Sequence, residues 1–343
     1  MEWKKPARLR QGDSVAVVSP SRTIASLFPV LVSRGMDNIR ESLGLNPVLF
    51  PHAMSSPEEG YLHPEYRAED INTALADPAI RGIISTIGGD ESVRILNHLD
   101  PELPRRDAKV FCGFSDCTTI TVFLWSRKVC SIYGGAMMAG FAQMSNFPDT
   151  FTSYWRGMLM SDSAGLSMER YRSYSEGYPD WRGKGATGSV NRKKRSPKWQ
   201  WIVGESMKGR IFAGCIETVD SLRGTPWLKS AEDFDGALIL LETSEETPSP
   251  LTVERYVRNL GIMGFLEASA GMAFGRFRGY SPKQRNDVME RIARVMRVEF
   301  GCGDKPLAAG LDFGHTDPYF PIPVGVEAEI SGDRIRLAES LTA

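Results

Sequence analysis

Short apolar runs alternate with helical stripes through the first half of the chain. Ser14-Val15-Ala16-Val17-Val18 reads as a short buried strand. Val32, Met36, Ile39 and Leu43 then fall on one helical face, which Gly44 stops. Pro47 to Phe50 reads as a second strand, and Ala68 to Ala76 as a helix with Ile71 and Leu75 on one face. Arg81 to Ile87 reads as a third strand and Ser92 to Leu99 as a helix. The run Lys109-Val110-Phe111-Cys112 is a fourth strand, followed by a helix from Thr118 to Trp125. Repeated strand–helix units predict a parallel sheet covered on both faces. Ligands of such sheets sit at the carboxyl ends of the strands. Ser19-Pro20-Ser21, Gly88-Gly89 and Ser115 all fall at such ends.

The pattern then changes. Between Ser161 and Lys198 there is little periodicity. This stretch holds Tyr171, Tyr174, Tyr178 and Trp181, then the basic run Arg192-Lys193-Lys194-Arg195. It reads either as a solvated connection or as a substrate loop, with aromatics for a planar ring and cations for an anionic group. Beyond it, Arg210 to Gly214 and Gly236 to Leu241 read as strands. Leu251 to Met263 and Asn286 to Val298 read as helices, and Val324 to Ile330 with Arg334 to Leu337 as a hairpin around Ser331-Gly332-Asp333. The expected class is α/β: an N-terminal parallel-sheet domain (1–160), a linker and substrate loop (161–205), and a C-terminal mixed α/β domain (206–343).

Composition narrows the class. A chain of 343 residues with a net charge of −1 gives no global reason to expect nucleic acid or a membrane as partner. No apolar run is long enough to span a bilayer, and the charged start Met1-Glu2-Trp3-Lys4-Lys5-Pro6 does not read as a signal peptide. The five cysteines, Cys112, Cys117, Cys130, Cys215 and Cys302, are scattered without metal spacing. Reduced thiols in a cytoplasm fit them.

The chemistry centres on Gly113-Phe114-Ser115-Asp116. A serine on a strand-to-helix turn is held out of the sheet with helical N–H groups behind it, which suits a nucleophile. An N-cap serine is the plainer alternative. An activated serine needs a base, and the base needs an orienting group. Of the four histidines, His98 reads as structural, and His52 and His63 as surface residues of a loop. His315, in Phe313-Gly314-His315-Thr316, follows a strand that ends in a glycine turn. Glu242 closes the apolar run Leu238-Ile239-Leu240-Leu241 and is the candidate orienting group, with Glu245 and Glu246 as fallbacks. Cys112 and Cys117 flank the serine and read as packed thiols.

At these residues the chain resembles the serine peptidases that comprise LD-carboxypeptidases and microcin C immunity proteins. Gly12 to Ser21 is similar to the family's opening strand and turn. Arg67-Ala68-Glu69-Asp70-Ile71 resembles its arginine-aspartate helix, and Gly88-Gly89 its diglycine turn. Gly113 to Asp116, Leu241-Glu242 and Gly314-His315-Thr316 match the positions of nucleophile, glutamate and histidine. The resemblance implies a catalytic Ser115, Glu242 and His315, an oxyanion bound by the N–H groups of Gly89 and Asp116, and no metal or organic cofactor. Gly88-Gly89-Asp90-Glu91-Ser92 and the long central loop resemble the immunity branch. That implies substrate contacts at Gly88, Asp90 and Trp181, with Trp181 stacking on an adenine and Trp199 or Trp201 as alternatives. The family often has Gly-Gly-Asn-Leu where this chain has Gly214-Cys215-Ile216-Glu217, which puts any contact from that asparagine in doubt.

The implied activity is amide hydrolysis of a small peptidyl or aminoacyl nucleotide by a cytoplasmic homodimer. Trimming of muropeptides by an LD-carboxypeptidase is the first alternative. A ligand-binding homologue without turnover is the second.

Overall fold

A computed structural model describes every residue except Lys229. The first sheet has the order Ile322–Val324, Ser131–Tyr133, Val110–Gly113, Ile80–Ser85, Ser14–Val18, Asn46–Leu49. The last five strands pair in parallel, and Ile322–Val324 adds an antiparallel edge from the far end of the chain. Val15 to Val18, Ile83, Ile84, Phe111 and Cys112 are buried, as expected of a sheet covered on both faces. The helix Pro29–Leu43 starts on a proline and ends at Gly44. That residue has φ 66° and donates its N–H to the Arg40 carbonyl. A left-handed cap of this kind favours glycine. The helices Pro64–Ala76 and Thr118–Ser126 follow the predicted pattern.

The second sheet is mixed, in the order Ser167–Glu169, Arg334–Leu337, Glu327–Ser331, Ser206–Cys215, Ala237–Glu242, Gly271–Gly275, Leu307–Leu311, Gln200–Val203. Its four central strands are parallel, and its edges are antiparallel. Both edge strands, Ser167–Glu169 and Gln200–Val203, come from the segment 161–205. A small third sheet pairs Ser173–Glu176 with Thr316–Asp317 and with Lys194–Arg195. The aperiodic segment is therefore tied to the second sheet and to the strand that follows His315.

Two local expectations change, and one strand appears that the pattern did not mark. The residues from Ser92 form a tighter 3-10 segment, Ser92–His98, rather than an α-helix. Its start is clamped by Asp116, whose carboxylate accepts from the Ser92 N–H and whose carbonyl accepts from the Ser92 hydroxyl. His98 is exposed rather than packed. Gly271–Gly275, which has few β-branched or bulky residues, is nevertheless a fully buried central strand. Among the described residues no helix is long and apolar enough to cross a membrane.

Candidate active site

Ser115 follows the strand Val110–Gly113 and opens the turn that leads into the helix Thr118–Ser126. Its φ is 59°, a left-handed conformation that a non-glycine residue rarely adopts. Strain of this kind persists where the surroundings over-determine it, and here they do. The Ser115 N–H donates to the Tyr133 hydroxyl at 3.0 Å, and the Ser115 carbonyl accepts from the Thr118 hydroxyl at 2.6 Å. Gly88 leaves the space above the serine: a Cβ there would lie 2.8 Å from the Ser115 Cβ.

The chain returns to this point from the second sheet. Glu242 ends the strand Ala237–Glu242 and is completely buried. His315 lies just beyond the strand Leu307–Leu311. Gly314, at φ 94°, lets the turn pass against the carboxylate, since a Cβ at that position would meet Glu242 Oε2 at 2.7 Å. His315 Nε2 is 3.0 Å from Ser115 Oγ, and His315 Nδ1 is 2.7 Å from Glu242 Oε2. The second oxygen, Glu242 Oε1, accepts from the Tyr133 hydroxyl at 2.5 Å. Ser115, His315, Glu242 and Tyr133 thus form a closed ring of hydrogen bonds.

Tyr133 was not singled out in the sequence. Its signal would have been a hydroxyl-tipped aromatic that closes the short strand Ser131-Ile132-Tyr133 just before Gly134-Gly135, at the carboxyl end of the strand beside the serine. Burial and the neighbouring Glu242 carboxylate push its hydroxyl well above the usual tyrosine range. It therefore remains a neutral donor.

The electrostatics of His315 come from two carboxylates. Burial disfavours the imidazolium, yet Glu242 and Glu245 outweigh it and hold His315 up to about 10. Glu245 Oε2 lies 3.0 Å from Nε2, the same nitrogen that faces Ser115. The ion pair with His315 lowers the Glu245 carboxyl to about 2. Burial drives the Glu242 carboxyl upward, against the pull of His315. The thiols beside the serine are inert by the same logic, since burial pushes Cys112 far up and Cys117 to about 12.

The remaining sequence candidates divide. The N–H groups of Gly89 and Asp116 donate to nothing among the described residues, and both residues line the cavity at Ser115. The Asp116 carboxylate points away, accepting from the Ser21 hydroxyl at 2.6 Å and the Ser92 N–H at 2.7 Å. Asp90 pairs with Arg22 at the cavity mouth. Trp181 is half-buried rather than exposed, edge-on to Phe28 with ring centroids 5.4 Å apart and 5.7 Å from Tyr178. Trp199 and Trp201 are used elsewhere: their indole N–H groups donate to Asp312 Oδ2 and to the Gly332 carbonyl. The basic run 192–195 is exposed and lines neither cavity at Ser115. Lys194 pairs with Glu176, and Lys193 donates to the Asn146 carbonyl. The cations that line the same cavity as Trp181 are Arg22 and Arg278, which the sequence pattern did not mark. His52 and His63 pair with Asp70 and Glu65, away from the serine.

Comparison with known proteins gives the family and the fold. Residues 15–134 match the family model of the LD-carboxypeptidase N-terminal domain, and residues 208–330 that of the LD-carboxypeptidase C-terminal domain. A Bacillus subtilis protein named as a probable murein peptide carboxypeptidase is 23% identical over 95% of this chain and 91% of its own length. The microcin C7 self-immunity protein MccF of Escherichia coli is 23% identical over 78% of this chain and 76% of its own. A structure of MccF with aspartyl sulfamoyl adenosine superposes with a TM-score of 0.85 at 21% identity, covering 99% of this chain and 100% of that one. A Streptococcus pneumoniae MccF-like protein in complex with AMP superposes with a TM-score of 0.82 at 22% identity over 95% and 98% of the two chains. At these identities the superpositions show a shared fold.

Proposed function

The chain belongs to the LD-carboxypeptidase family of serine peptidases, and from that premise we propose that it hydrolyses the amide bond of a peptidyl or aminoacyl nucleotide, as an immunity-type peptidase. The observation that carries this reading is the cavity of about 390 Å³ that opens on Ser115 and His315 and is walled by Trp181, Tyr178 and Phe28, with Arg22 and Arg278 at its side. A planar base can stack on such a wall for about 1–3 kcal/mol, and the Arg278 guanidinium complements a phosphoramidate or sulfamate linker, whereas Arg22 already holds Asp90.

In the proposed reaction the Ser115 hydroxyl gives its proton to His315 Nε2 as Oγ bonds to the scissile carbonyl carbon. Glu242 accepts the Nδ1–H, fixes the tautomer and stabilises the imidazolium. The free N–H groups of Gly89 and Asp116 receive the oxyanion, each worth about 3 kcal/mol when well aimed. His315 then returns the proton to the leaving nitrogen as the C–N bond breaks. Water, deprotonated by the same imidazole, attacks the acyl-serine and regenerates Ser115. The neutral Tyr133 bridge holds the serine backbone and the second Glu242 oxygen throughout.

The expected state is a cytoplasmic homodimer: light scattering tests the dimer, and cell fractionation tests the location. The muropeptide reading stays in play because a Bacillus subtilis relative is named for murein peptides. Mass spectrometry of the protein incubated with an aminoacyl sulfamoyl adenosine and with a murein tetrapeptide separates the two. Cleavage of the nucleotide compound is expected, and cleavage of the tetrapeptide alone overturns the proposal. Trp181→Ala sharpens the result: it should raise the Michaelis constant about tenfold for the nucleotide substrate and leave a substrate without a base nearly unaffected.

A further inference from the structure

Two differently built cavities meet at Ser115. Beside the aromatic one lies a second, of about 170 Å³, lined by Asp90, Asp116, Glu217, Thr218, Glu245 and Glu246. That volume is roughly ten times what one water needs, so it suits an organic group. His315 lines the aromatic cavity and not this one. The group that protonates the leaving nitrogen must stand beside it, so the leaving group belongs on the aromatic side. The acyl group therefore enters the second cavity.

The carboxylates there differ in what they already hold. Asp90 is neutralised by Arg22, and Asp116 is held by Ser21 and Ser92. Glu217 accepts only from neutral donors: the Ser244 N–H and hydroxyl at 2.9 and 2.8 Å, and the Cys215 thiol at 3.1 Å. Among the described residues neither Glu217 nor Glu246 has a cation within ion-pair distance, and Glu245 shares only His315. A second feature points to a ligand independently. Thr218 lines the cavity at 8% exposure, and its hydroxyl has no hydrogen-bond partner among the described residues.

Resting on the amidase reading above, we propose that this cavity selects an acyl residue with a cationic side chain, an ammonium or guanidinium group. Glu217, fixed by Ser244, is the main specificity determinant, Glu246 adds charge from the rim, and Thr218 supplies a neutral contact. An acidic acyl side chain would be repelled by the same groups.

The test is an acyl series in which every member keeps the same free α-amine: lysyl, arginyl, norleucyl and glutamyl. It is run once with sulfamoyl adenosine as leaving group and once with D-alanine. With either leaving group that turns over, lysyl and arginyl compounds should exceed norleucyl by at least tenfold in kcat/KM, and glutamyl should be poorest. Glu217→Gln should cut the lysyl-to-norleucyl ratio to about threefold or less, and Glu246→Lys should shift preference toward glutamyl. Calorimetric binding to Ser115→Ala protein gives the same ranking without turnover. Preference seen only with D-alanine would remove the nucleotide reading and leave this one standing. Equal rates for lysyl and norleucyl, a preference for glutamyl, or failure of every cationic compound to bind or turn over would overturn it.

Discussion

Ser115 and His315 both stand just past the carboxyl ends of strands, yet the protein fixes them by different means. Ser115 is held by neutral, buried hydrogen bonds to Tyr133 and Thr118 and by a strained backbone. Its position is independent of pH across the range in which tyrosine stays neutral. His315 is held by charge, between the buried Glu242 on Nδ1 and the exposed Glu245 on Nε2. Its nitrogen facing the serine thus has two competing partners. The geometry of the nucleophile is thus built in by neutral contacts, whereas the protonation state of the base is set by two carboxylates, the buried Glu242 first and the exposed Glu245 second.

The largest expected effect tests the built-in side. Ser115→Ala should lower kcat by about four to six orders of magnitude while the melting temperature holds, since a small side chain is lost from an otherwise intact turn. Activity within tenfold of wild type would break the assignment of the nucleophile and, with it, the comparison.

The second effect is smaller and asks whether Tyr133 is what makes the serine side rigid. Tyr133→Phe removes the bridge and leaves a buried Glu242 oxygen and the Ser115 N–H without their partner. An unsatisfied buried group costs about 1–3 kcal/mol, which is roughly ten- to a hundredfold if it falls on catalysis. We expect a drop in kcat with KM nearly constant. A loss confined to KM, or none at all, would mean that the strained turn is held by packing instead.

The two sides also differ in how far they could be read from the chain. Ser115, Glu242 and His315 each end an apolar run or a glycine turn, so local pattern located them, and the sheet rule placed Ser115 with Gly88-Gly89. Tyr133 escaped because its two partners lie in separate elements and its own run looks like ordinary core. Arg22 and Arg278 escaped because single cations carry no pattern, while the conspicuous run 192–195 pointed to a surface strand. Trp181 looked exposed because its packing partner, Phe28, comes from a distant part of the chain. The edge strands in the segment 161–205 are too short to show a period of two. Glu245 was legible only as a substitute for Glu242, since nothing in Glu242-Thr243-Ser244-Glu245 reveals that both carboxylates face one imidazole from opposite sides.

That last contact yields the smallest effect and the one that most sharpens the comparison. As general base, His315 must be neutral, so activity rises with pH through its titration. Burial lowers that titration point, but the Glu242 and Glu245 carboxylates raise it to about 10, which leaves the resting site mostly protonated at neutral pH. Removing the Glu245 charge removes one of the two raising influences. Glu245→Gln should therefore move the acidic limb of the kcat/KM profile to lower pH and raise activity near pH 7 by a few-fold, with little change on the alkaline plateau. The Glu242 side keeps its charge, so the limb should stay above the ordinary histidine value. A profile that does not move would show that Glu245 already leaves Nε2 before the base acts. A movement to higher pH would contradict the charge argument, and the contrast between a fixed nucleophile and a charge-set base would fall with it.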